Sequence, residues 1–249
     1  MHLATIKLYL NYIKYRIGLR PTIPAHFINK KPIVENNSPL VDILGDDTFC
    51  FDTSVKSRGV FLVQADIVPM LHTAAKALPA GYKLCFYHGF RPRAYQWFLW
   101  LRKMEAERAA HPTLSDAELE KRARATVACP KNGFGPHQTG GAVDVTIVDE
   151  NGNFLDMGTV ILHLGIKSAM YYHDITPAQK QNREMLADAM RRGGFNNYPA
   201  EWWHWSYGDR MWAAYQHKRF AIYGEMESPD YALTDEEKSV LARHKIIWR

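Results

Sequence analysis

The strongest constraint on this chain is a pair of short signatures in its second half, His137-Gln-Thr-Gly-Gly-Ala-Val-Asp144 and Glu201-Trp-Trp-His204. The glycines between His137 and Asp144 fit a turn that runs into Ala142-Val-Asp-Val-Thr-Ile-Val148, whose β-branched alternation reads as a strand. Side chains alternate along a strand, so Asp144 shares a face with Ala142 and Thr146, while Val143, Val145 and Ile147 take the other. The carboxylate thereby gains a rigid mount. If the two signatures act together, the fold must bring two distant segments side by side.

Together they offer two imidazoles and a carboxylate, with a second carboxylate to spare. A hydrolytic zinc site needs three protein ligands and a position for water, and His137, Asp144 and His204 fill the three. One Zn2+ per chain is the cofactor this set implies. Glu201 stands three residues before His204, close enough to take a proton from water and pass it to a leaving amine, so it is the candidate general base and then acid. Each element also has an ordinary reading. A lone histidine is most often a surface or hydrogen-bonded one, and Trp202, Trp203 and Trp205 are also good core aromatics. The combination is what points to a metal.

Pro136-His137-Gln-Thr-Gly-Gly-Ala-Val-Asp144-Val-Thr, Gly194-Phe-Asn-Asn-Tyr-Pro-Ala-Glu201-Trp-Trp-His204-Trp and Gly89-Phe90-Arg91-Pro92 resemble, in order and separation, the D-alanyl-D-alanine dipeptidases of bacterial cell-wall metabolism. The likeness runs from Asp42 to Tyr207. It implies a zinc hydrolase of the wider group that includes D,D-carboxypeptidases, lysostaphin-like endopeptidases and hedgehog domains. It also implies that Arg91 contacts the carbonyl oxygen of the scissile bond, a role that suits a fixed guanidinium beside a developing oxyanion. Read without the resemblance, Arg91 is a turn residue after the apolar run Lys83–Tyr87, and Arg93 is its decoy.

The departures from that pattern concern the substrate. Gly135 stands where many relatives have serine, His88 where they often have aspartate, and Phe90 where they have tyrosine. The segment Met157-Gly-Thr-Val-Ile-Leu-His163 lacks the acid that meets a substrate amine in the family. Three functions therefore stand side by side. The first is a zinc dipeptidase acting on a D-alanyl-D-alanine-type peptide. The second is a D,D- or L,D-carboxypeptidase or endopeptidase acting on peptidoglycan stems, and the third is a zinc-containing binding module without catalysis. Retention of Glu201 and Arg91 favours the enzymes.

The 249 residues, 47% hydrophobic, suffice for one good core and carry no repeat or long linker. The expected division is an N-terminal extension (1–40), a catalytic domain (41–225) and a C-terminal tail helix (226–249). The net charge of +5 is dispersed, without the dense basic tract of a nucleic-acid binder; the partner that the resemblance implies is a small peptide. Residues 1–20 carry Lys7, Lys14, Arg16 and Arg20 and no acid. They read as a helix packing its apolar face on the body, or lying on a membrane surface; Asn11 and Lys14 interrupt the apolar stretch and argue against a transmembrane span. Cys50, Cys85 and Cys129 have no Cys-x-x-Cys spacing, which argues against a disulfide framework and for a cytoplasmic setting.

The coarse pattern is α+β, a small sheet carrying the zinc site with helices around it, and the resemblance implies that this sheet is antiparallel. Apolar spacing predicts helices over 61–78 and 95–110. Ser115 with Glu118 predicts a capped third helix ending before Pro130, and Thr176-Pro177 with Gln179 a fourth, stopped by Gly193-Gly194. That last helix leads to a strand over 201–204. His88, His163 and His173 compete for ligand roles but lack an Asp or His partner at matching spacing.

Overall fold

In the computed structural model, residues 10, 22–54, 59–124, 126–163, 165–228 and 230–246 are described. The basic helix expected over residues 1–20 lies outside them, apart from Leu10. In chain order the elements are α1 (Ala25–Asn29), β1 (Leu40–Asp42), β2 (Cys50–Phe51), β3 (Leu62–Gln64), α2 (Val68–Lys76), β4 (Lys83–His88), α3 (Arg93–Ala110) and α4 (Asp116–Ala123). They continue with β5 (Ala142–Val148), α5 (Pro177–Arg192), β6 (Asn196–Asn197), β7 (His204–Ser206), α6 (Arg210–Tyr215) and α7 (Asp235–Arg243).

The five-stranded sheet has the order β2-β4-β5-β7-β6. Its inner pairs are antiparallel, as expected, while edge strand β2 runs parallel to β4. β5 lies at the centre and is buried along its whole length, as its run of β-branched residues requires. Val143, Val145 and Ile147 join Ile67, Leu71, Leu186, Met190 and the tryptophans 202, 203 and 205 in the main core, where α2 packs on α5. The fold is α+β.

Local signals set most helix ends. Ser115, Thr176 and Thr234 each complete a capping box, with Glu118, Gln179 and Glu237 reaching back to the cap. The helix expected over 61–78 begins later, at Val68, with Pro69 in its first turn. Leu62–Gln64 is instead a strand, because Leu62 and Val63 find antiparallel partners in Asp42 and Val41. The strand expected at 201–204 is also displaced. Glu201 to Trp203 form a turn, and pairing begins at His204.

The tail helix α7 docks rather than projecting, with Val240 and Leu241 burying against Trp100 and Leu101 of α3. Between α3 and α4, Glu107 meets Lys103 Nζ and Arg122 Nε, each at 2.7 Å. Hydrogen bonds from Lys103 first and Arg122 second hold its carboxyl at about 2, against an ordinary 4.5. A depressed carboxyl stabilises the fold above its unfolded value and loses that contribution as pH falls toward the folded one. The melting-temperature deficit of Glu107→Gln is therefore full at pH 6 and shrinks between about pH 4.5 and 2. Thermal melts at stepped pH check this; a deficit that stays constant through that window excludes the linkage.

Candidate active site

One row across the sheet brings together three titratable side chains. His88, Asp144 and His204 are direct cross-strand partners, at the end of β4, in β5 and at the start of β7. His137 enters from the 3-10 turn Pro136–Thr139 just before β5. Two glycines make that approach feasible. Gly140 has φ +70°, and an added Cβ there would come within 2.3 Å of Leu40, while at Gly141 it would come within 2.3 Å of the Tyr207 carbonyl.

His137 Nδ1 donates to the Gly89 carbonyl at 2.7 Å, and because a carbonyl only accepts, Nε2 carries the lone pair. That Nε2 lies 3.2 Å from His204 Nδ1 and 3.3 Å from Asp144 Oδ1, and the latter two atoms are 3.1 Å apart. A tetrahedral ion with bonds of about 2.0–2.1 Å spaces its ligands by about 3.3–3.4 Å. The triangle has the right edge length for zinc. His204 Nε2 faces Ser206 Oγ at 3.3 Å, an outer partner that orients the ring with Nδ1 toward the triangle. Against the lowering effect of burial, hydrogen bonding and charge from Asp144 raise the His204 pKa. Among the described residues, these three are the group of histidine, cysteine and acidic side chains close enough to share a cation. His163 and His173 are exposed and outside it.

Charges around the triangle are tightly coupled. Burial opposes ionisation of Asp144, yet His137 and His204 outweigh it and hold the carboxyl well below the usual range. Burial also lowers His137, keeping it a neutral donor. His88 is fully buried, with Nε2 unpartnered and its ring 5.8 Å from that of His137. Burial first, then Arg91 and His137, hold it well below its ordinary value, so it is neutral.

Arg91 Nη2 is 3.7 Å from Asp144 Oδ2, and Arg91 Nη1 donates to Gln96 Oε1 at 3.3 Å. Its backbone N–H donates to the His137 carbonyl at 3.1 Å, and its Nε is buried without a partner. Arg93 faces elsewhere, in a fork to Glu225 at 2.6 and 2.5 Å. Glu201 is raised above its ordinary value by burial and by the charge of Asp144, against opposing contributions from His204 and Arg91.

Sequence reasoning missed the residues that shape the Glu201 turn. Asn197 Nδ2 donates to the Glu201 carbonyl at 2.9 Å and to that of His204 at 3.1 Å, tying the two residues together. Tyr198 sets its ring edge-on to His204, and burial and Glu201 push its hydroxyl up to about 12. The signal was two adjacent asparagines beside a strand end, residues that favour local backbone hydrogen bonds. From the other side, Trp202 Nε1 donates to Thr159 Oγ1 at 2.8 Å, and the Trp202 backbone N–H donates to the Ser168 carbonyl. Buried Arg183 holds this 157–169 loop through the carbonyls of Met157, Lys167 and Ala169.

A sequence profile described as D-ala-D-ala dipeptidase matches residues 52–223. The chain belongs to the D-ala-D-ala dipeptidase family. Within that family it is similar to the D-alanyl-D-alanine dipeptidase of Synechocystis sp. (strain ATCC 27184 / PCC 6803 / Kazusa), 36% identical over 109 residues that cover 37% of this chain and 44% of the relative. It is also similar to the D-alanyl-D-alanine dipeptidase of Escherichia coli K12, 30% identical over 125 residues, 50% of this chain and 55% of the relative. The chain thus spans about half the length of these curated relatives. Among solved structures, it superposes on a variant of the vancomycin resistance D,D-pentapeptidase VanY in complex with Zn(II), with TM-score 0.43 and 19% identity over 76% of this chain and 90% of that one. VanYB in complex with D-alanine-D-alanine gives TM-score 0.44 and 18% identity over 78% and 90%.

Proposed function

We propose that this chain is a zinc metallopeptidase that hydrolyses a D-alanyl-D-alanine-type dipeptide to free amino acids. The observation that carries the reading is the buried triangle of His137 Nε2, Asp144 Oδ1 and His204 Nδ1, whose edges match a tetrahedral zinc site. These three residues are the proposed ligands. Zinc held there lowers the pKa of water from about 15.7 to roughly 7 and polarises a carbonyl. Glu201, whose burial raises its affinity for a proton, takes the proton of the attacking water as a carboxylate and returns it to the departing nitrogen. Arg91, with an unpaired buried Nε and a guanidinium held beside Asp144, donates to the carbonyl oxygen as negative charge builds on it. Neutral His88 adds no competing positive charge to this corner.

Residues 41–225 are the proposed catalytic unit, with the described parts of 1–40 and 226–249 as supports. Val34 donates to the Ala221 carbonyl, and Tyr231 packs on Phe90 beside Arg91. A cytoplasmic setting belongs to the same proposal, supported by three free cysteines. Among the described residues, no helix is long and apolar enough to cross a membrane.

A second reading, cleavage of longer peptidoglycan stems, draws support from the loop behind Glu201. Residues 157–171 contain no carboxylate, and Asp156 is committed to Gln179 Nε2 and the Gly158 N–H, both at 2.8 Å. A free substrate ammonium gains no counter-charge from this wall. Incubating the zinc-loaded protein with D-Ala-D-Ala and with a stem pentapeptide separates the two. Faster alanine release from the dipeptide is the expected result; faster release from the pentapeptide transfers the assignment to the second reading.

A further inference from the structure

We propose that Cys50 and Cys85 form a reversible thiol–disulfide site on the edge of the sheet, separate from the zinc triangle. The two residues are direct partners across the parallel pair of β2 and β4. Side chains opposite one another on neighbouring strands share a face, and strands lie about 4.7–4.9 Å apart, within the Cα separation of roughly 4.4–6.8 Å that a disulfide accepts. Their Sγ atoms are 2.9 Å apart, in hydrogen-bonding contact. A covalent S–S bond of about 2.05 Å requires the sulfurs to approach by less than about 1 Å, a displacement that side-chain rotation supplies.

Exposure assigns the chemical roles. Cys50 is partly exposed and the more accessible of the two to a small reagent, whereas Cys85 is 1% exposed. Burial, then the neighbouring Cys50, keeps the Cys85 thiol protonated. With a small-molecule disulfide such as oxidised glutathione as oxidant, the Cys50 thiolate attacks one sulfur, forming a mixed disulfide and releasing one glutathione thiolate. Cys85 then displaces the second glutathione, to which its proton passes, and the Cys50–Cys85 bond forms. Two protein thiols are oxidised and one disulfide is reduced to two thiols. Cys129 takes no part, since it is buried with Trp100 and Leu101 in a different cluster.

The bond closes a loop that contains β3 and α2 and fastens the two-residue strand β2 to β4. Restricting the unfolded chain over that span raises the melting temperature by roughly 5–10 °C. The site lies outside the donor triangle: Cys85 pairs with Thr146 in β5, two positions along the strand from Asp144, and neither cysteine belongs to the group close enough to share a cation.

The test equilibrates the full zinc-loaded chain in glutathione buffers from reducing to oxidising, blocks free thiols, and reads intact mass, peptide map and melting temperature. The expected result is loss of two hydrogens, a single Cys50–Cys85 linked peptide with Cys129 blocked, a higher melting temperature, and full reversal by dithiothreitol. Cys85→Ser should retain glutathione on Cys50 and show no rise in melting temperature. Because the wild-type peptide map is decisive alone, a misfolded variant does not compromise the result. Glutathione adducts without an internal link, a link to Cys129, or thiols left unreacted throughout would each overturn the proposal.

Discussion

Replacing Glu201 by glutamine lowers turnover by roughly 100- to 10,000-fold while zinc content stays at one per chain. The expectation follows from where Glu201 stands. It lies in the turn before β7 rather than in the donor triangle, so its loss removes proton transfer and leaves the three ligand atoms in place. Burial raises its pKa, which suits a group that accepts a proton in one step and releases it in the next. Glutamine keeps the shape of the side chain, and the clamp from Asn197 reaches the Glu201 backbone carbonyl, which the substitution does not alter. Metal analysis and steady-state kinetics on the same preparation check both halves. Near-normal turnover would remove Glu201 from the mechanism.

His204→Ala has the larger effect on the metal. Removing an outer hydrogen-bonding partner of a zinc site costs roughly 10- to 100-fold in affinity, and loss of one of three ligands costs more. His204 also supplies part of the environment that keeps Asp144 ionised although buried. Its removal therefore weakens the remaining carboxylate donor as well. His137→Ala should behave alike, since its Nε2 is the third corner of the triangle. Competition with a chelator of known affinity measures the change, and circular dichroism confirms that the variants fold. Arg93→Ala is the control, because Arg93 is engaged with Glu225 and should leave zinc affinity unchanged. Retention of stoichiometric zinc in both histidine variants would show that the metal binds elsewhere.

The grouping of His137, Asp144 and His204 was largely legible in the sequence because these proposed donors sit in segments with strong local signals. The two glycines and the β-branched run around Asp144 announce turn and strand without tertiary information, and Pro92 after Arg91 announces a bend. What escaped depends on pairing between distant segments. Leu62 and Val63 satisfy a helical period and a strand equally well, and β1 decides between them. Pro69 marked the true helix start. The row His88, Asp144, His204 exists through the register of three strands, which spacing along the chain does not encode. Asn197 and Tyr198 gain their roles in the same way, from the path of a turn. The parallel pairing that places Cys50 beside Cys85 is also non-local.

The most direct measurement is anomalous diffraction at the zinc edge from crystals of the zinc-loaded protein. The expected map holds one strong peak about 2.0–2.2 Å from His137 Nε2, His204 Nδ1 and an Asp144 carboxylate oxygen, with the Glu201 carboxylate facing its open side. A peak away from these three side chains, or none in crystals grown with zinc, would contradict the assignment.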